Sequence, residues 1–154
     1  MKNLLLIMLF ALAATGCTLA QGPWQTVGAL QNGEAVLTAD KAELLQAYNQ
    51  NLRLSSQIEG SFTEVNIVPR AQGTYALVFE GEEYKSTFGV KIAEDGSSLQ
   101  VNNKISCTTI DCAAETSGCE PRYNDEGQGY CSPCSNEGEC FKTVSNKSLL
   151  NSND

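Results

Sequence analysis

Six cysteines fall within the 34 residues from Cys107 to Cys140, whereas residues 24–105 contain none. Large apolar side chains are scarce there, with little beyond Ile110, Ala113, Ala114, Tyr123 and Tyr130. Such a segment cannot close a core by burial alone, so covalent links have to take its place. Cys107, Cys112, Cys119, Cys131, Cys134 and Cys140 are an even set, which fits three disulfides with all 15 pairings open. The chain has no histidine, so a zinc site would need thiolates alone. Only Cys131-Ser132-Pro133-Cys134 has knuckle spacing, and the strong zinc signal is two such knuckles. Disulfides are therefore expected, with no metal and no cofactor.

The lack of histidine also excludes Ser-His-Asp and Cys-His nucleophile activation. A formal charge of −8 leaves no basic stripe to neutralise phosphates, which excludes nucleic acid as a partner. The cysteine-rich stretch is the most acidic part, with seven carboxylates against Arg122 alone. Charge of this kind keeps a coreless segment soluble. Asn124-Asp125-Glu126-Gly127 offers oxygen ligands near a turn, but without the regular spacing of a Ca²⁺ loop.

Lys2 precedes an uninterrupted apolar run of 11 residues, Leu4 to Ala14. That run is too short to span a membrane, which takes about 20 residues, and has the length of a secretory signal. It ends in Ala14-Thr15-Gly16-Cys17, which resembles the lipobox of bacterial lipoprotein precursors, with Ala14 where leucine is usual. The resemblance implies that Cys17 is lipidated and becomes the N-terminus, placing the chain at the cell envelope, on the outer membrane or cell surface. Thr18-Leu19-Ala20 before Gln21 is a second possible cut, and would give a secreted or periplasmic protein.

From Trp24 to Ile105 the pattern is that of a small α+β domain. Asn32-Gly33 separates two short apolar runs, the strongest hairpin signal. Thr38 is placed to cap a helix whose buried stripe is Leu44, Leu45, Tyr48 and Leu52. A meander of about four strands follows, with breaks at Pro69–Gly73, Gly81–Glu83 and Glu94-Asp95-Gly96. Val65 and Ile67, then Tyr75, Leu77 and Phe79, then Tyr84, Phe88, Val90 and Ile92 should share one face of their strands, and Lys85, Thr87 and Lys91 should form a solvated face. One helix on such a sheet resembles the cystatin-like layout, a likeness of shape that carries no function. The expected organisation is a signal peptide over 1–16, a tether over 17–23 and the α+β domain over 24–105. A cysteine-rich acidic module then spans 106–141, and a polar flexible tail spans 142–154.

Cys131-Ser132-Pro133-Cys134 also resembles the Cys-x-Pro-Cys site of thioredoxin-like oxidoreductases. In that family the motif opens a long helix that lowers the thiol pKa. Here it is followed by Ser-Asn-Glu-Gly-Glu, in which Glu137 and Glu139 would oppose a thiolate. Trp24, Tyr75 and Tyr84 are candidates to stack on a sugar, or else simply pack on the sheet. Glu82-Glu83 and Glu94-Asp95 read as solvated turn carboxylates, and Asn146-Lys147-Ser148 as a glycosylation pattern of little force. The leading expectation is a non-enzymatic binding module, anchored to the membrane by lipid, for an unspecified protein or glycan. Thiol–disulfide exchange at Cys131/Cys134 and inhibition of an extracellular enzyme are the alternatives.

Overall fold

The structure, a computed structural model, describes residues 24–55, 61–115, 118–145 and 148–150. The signal and tether expected over residues 1–23, with Cys17, lie outside the described residues. Strands β1 (Trp24–Gln31) and β2 (Glu34–Leu37) form the expected hairpin. Asn32 and Gly33 both take positive φ, 54° and 85°, the pair of left-handed residues that a two-residue turn matching strand twist requires. Helix α1 (Lys41–Ser55) follows. Asp40, not Thr38, caps it: the Asp40 carboxylate accepts from the backbone N–H of Glu43 at 2.9 Å. Thr38 instead donates its backbone N–H to Val27 and ends the hairpin.

The meander runs β3 (Phe62–Pro69), β4 (Tyr75–Gly81), β5 (Lys85–Ile92) and β6 (Ser98–Asn102), with breaks where turn chemistry put them. It does not stop there. β7 (Ile105–Thr109) pairs with the same edge of β5 as β6 does. Between Val101, opposite Val90, and Cys107, opposite Thr87, residues 102–106 face only Phe88 and Gly89. β6 and β7 are thus one interrupted strand, and β1 and β10 (Phe141–Val144) pair along its outer edge. The expected domain boundary at 105/106 therefore falls inside a sheet strand.

Leu44, Tyr48 and Leu52 of α1 are buried against Val65, Leu77, Phe79, Phe88, Leu99 and Val101. The Tyr48 ring lies 4.5 Å from that of Phe79 and 5.1 Å from that of Phe88, within the range of favourable ring pairs. Its hydroxyl is not lost to the apolar core. It bonds Ser86 and Ser106 and lies 3.4 Å from Thr108. Burial pushes the Tyr48 phenol above its ordinary pKa despite those hydroxyls.

Two expectations fail on the other face and at the tail. Lys85 and Thr87 are 4% and 1% exposed, so only Lys91 of the supposed solvated face meets water. The cysteine-rich segment lies over Lys85. Residues 142–144 are not a loose tail but strand β10, and Leu149 is buried in the helix-side core. The Gln25 side chain holds this end, accepting from the Leu149 N–H at 2.9 Å and bonding Ser148. Among the described residues no helix is long and apolar enough to cross a membrane.

Leu149→Ala should cost about 2–5 kcal/mol, the range for emptying a full leucine site. A change below about 0.5 kcal/mol in urea unfolding would mean that residue 149 does not pack in the core. Asp95 accepts from the N–H groups of Ser97 and Ser98 and from the Ser98 hydroxyl, which lowers its pKa to about 2. The folded value lies below the ordinary one, so its contribution is complete above about pH 4 and fades as pH falls through about 2. Carboxyl NMR should give a midpoint near 2 for Asp95. A midpoint near 4 would show that these bonds do not form in solution.

Candidate functional site

Three disulfides, Cys107–Cys131, Cys112–Cys134 and Cys119–Cys140, join the segment leaving β7 to the segment entering β10. They are interlaced first to fourth, second to fifth and third to sixth, at sequence separations of 24, 22 and 21. By chain entropy a loop of that length contributes about 3 kcal/mol per bridge. Cys107, Cys112, Cys119 and Cys134 are buried together, so sulfur supplies the module's own core. Cys119 is held at φ 55°, a left-handed conformation uncommon outside glycine and asparagine.

Polar anchors seat the module on the sheet. Lys85, outward-facing on β5, donates its ammonium to the carbonyls of Cys112 at 3.1 Å and Glu115. Burial, then the nearby Arg70 charge, pulls its pKa down, while Glu115, Glu80 and Glu120 push it back up. The Thr109 hydroxyl donates to the Glu139 carbonyl at 2.7 Å and accepts from the Cys112 N–H at 3.2 Å. Glu115 accepts from the Ser135 N–H, the main reason its pKa falls.

The module does not cover the whole outer face. Beside it lies an open cleft of about 210 Å³ floored by outward positions of the sheet, among them Ala76, Thr87, Gly89, Lys91 and Asn102. Trp24 stands at one side, with the Lys91 ammonium 4.0 Å from its ring centroid, a cation–π contact. Another wall is strand β8 (Pro121–Tyr123), which pairs with β9 (Gly129–Cys131) and is carried by the disulfide module. Arg70, in the β3–β4 turn, forms an ion pair with Glu120; their side chains are 11% and 8% exposed. Arg122 takes the other oxygen of the same carboxylate at 3.2 Å. The Thr87 hydroxyl is buried and has no hydrogen-bond partner among the described residues.

Trp24 reaches this cleft, whereas Tyr84 packs against the helix-side core. Tyr75 packs on that core too and borders the cleft from the end of β4. Cys131 and Cys134 are not bonded to each other but to Cys107 and Cys112. The sulfurs of Cys107, Cys131 and Cys140 lie within 4.8 Å of one another, yet as disulfide sulfurs they offer no thiolate to a metal. Asn124 spends its side-chain oxygen on the N–H groups of Glu126 and Gln128, closing the β8–β9 turn. Glu82, Glu83 and Glu94 are exposed in turns, as expected. Sequence reasoning missed Arg70, Thr87, Gly89 and Glu120. The chain matches no family model, no curated protein and no solved structure.

Glu120→Ala leaves Arg70 buried without its counter-charge and should destabilise by about 3 kcal/mol, typical of a broken buried pair. A loss under about 1 kcal/mol in chemical denaturation would class the pair with exposed ones.

Proposed function

We propose that the chain is a non-enzymatic binding module held at the bacterial cell envelope by lipid on Cys17. The observation that carries the binding part is the cleft between the sheet and β8, where a tryptophan, three cations and an unpartnered hydroxyl converge. Concave sites with a few convergent polar groups are where small ligands bind. Three disulfides favour an oxidising compartment, which agrees with an exported chain. The lipobox-like Ala14-Thr15-Gly16-Cys17 supports anchoring, and the outer membrane or cell surface is the proposed location. The cystatin-like likeness belongs to this reading as a layout alone, one helix laid on an antiparallel meander.

Thiol–disulfide exchange at Cys131/Cys134 is the lesser reading, because neither sulfur is bonded to the other and no helix follows the motif among the described residues. Cys17→Ser should move the protein from the membrane fraction to the soluble one. Several acyl chains hold firmly where one binds only marginally, so the shift should be nearly complete. A native N-terminus at Gln21, unmodified by mass, would overturn the anchored reading in favour of a secreted one.

A further inference from the structure

We propose that the cleft over Gly89 takes a small organic anion, a carboxylate carried on a hydroxylated body the size of one sugar; this rests on the binding reading above. Four properties of the cleft converge on that class.

Charge comes first. The chain carries −8, yet Arg70, Lys91 and Arg122 line this one cleft against Glu120 alone. Glu120 is shared between Arg70 and Arg122, so one carboxylate faces two guanidiniums and positive charge is left over. Lys91 adds a further cation, exposed and held over Trp24. At physiological salt the screening length is about 8 Å, so distant acidic residues do little to cancel these cations. A cationic ligand is repelled locally, and an anion is drawn in.

Hydrogen bonding comes second. The Thr87 hydroxyl, on the cleft floor and 1% exposed, has no partner among the described residues. A buried hydroxyl left unpaired is destabilising, so turning the Thr87 side chain toward an oxygen on the ligand would be favoured. Asn102 offers an amide on the same floor. A body with hydroxyls suits these two groups better than a hydrocarbon does.

Shape is the third property. Gly89 lies in the middle of β5, where a glycine weakens the strand and often marks close approach of a ligand. A Cβ built there would meet nothing within 4 Å. No packing contact and no positive φ calls for glycine at this position, and the space above it belongs to the cleft. Size is the fourth. At about 210 Å³ the cleft is below the roughly 300–1,000 Å³ of pockets for drug-sized ligands. A single small ring fits it, with Trp24 and Tyr123 as apolar flanks.

Trp24 is the chain's one tryptophan and sits at the cleft, so its fluorescence reads occupancy directly. The experiment titrates the detergent-solubilised full chain with D-glucuronate and, separately, with D-glucose. Glucuronate should give a saturable change at least tenfold tighter than glucose, weakening as salt is raised. Arg122→Gln should weaken glucuronate about tenfold, and Gly89→Val should abolish the response while melting at or above the wild-type temperature. Equal affinity for glucose and glucuronate, or an unchanged response in Gly89→Val, would overturn this inference. Saturable binding of a neutral fragment that is lost in Gly89→Val, with glucuronate silent, would overturn the anion class alone. Silence toward glucuronate, glucose and a panel of neutral fragments would overturn the binding reading with it.

Discussion

A β-strand with both faces shielded from water must suit two unlike surroundings, and Ile105–Thr109 does so by alternation. Ser106 and Thr108 turn toward α1 and join the hydroxyl group around Tyr48. Cys107 and Thr109 turn the other way into the disulfide module. All five residues are buried. A protein hydrogen bond is worth about 1 kcal/mol net, but an unmade buried one costs about 1–3. The inner hydroxyls therefore matter less for what they add than for leaving Tyr48 satisfied. Because β7 serves both layers, the sheet and the cysteine module are not separable halves. The helix-side core closes on Ser106 and Thr108, and the module closes on Cys107 and Thr109.

Much of the helix-side layer is legible in the sequence because each signal there is local. Asn32-Gly33 dictates its own turn, Leu44, Tyr48 and Leu52 recur once per turn of helix, and β3 to β6 alternate between clear breaks. Where the reading fails, the missing information is non-local. Period two shows that Lys85 and Thr87 point away from Phe88, but not that another part of the chain lies on top of them. Thr38 and Asp40 are both competent caps, and the β1–β2 hairpin decides between them by holding the Thr38 backbone N–H on the Val27 carbonyl, just past its last pair, Gly28–Leu37. Leu149 and Leu150 form a bare apolar pair with no periodicity around it, so the place of Leu149 in the core is not marked by the pattern.

The cleft is less legible still. Its wall and floor come from Trp24, Arg70, Gly89 and Glu120, which lie in two strands and two connecting segments. None of them carries a spacing motif. Only the mid-strand glycine and the lone tryptophan are unusual enough to notice in advance. The cleft also depends on the cysteines without containing one. Glu120 directly follows Cys119, and β9 ends at Cys131, so the β8 wall is fixed at both ends by sulfur. The Arg70–Glu120 pair then ties that wall to the β3–β4 turn. Opening the disulfides would release this side of the cleft.

The clasp between Gln25 and residues 148–150 has a consequence for how such a chain matures. Polypeptides are made and exported from the N-terminus, so all six module cysteines emerge before Leu149 does. In a chain exported as proposed, they would reach an oxidant while the helix-side core still lacks one of its buried side chains. Of the 15 pairings available to six thiols, the interlaced one must then either be selected by the short segments themselves or be reached by reshuffling once the last strand docks. β10 lies next to β7 and follows Cys140 directly, so its docking draws the two cysteine segments together in the final register. Where reshuffling is the route, docking of β10 against β7 favours the final pairing, and a premature bond is corrected only while a free thiol persists.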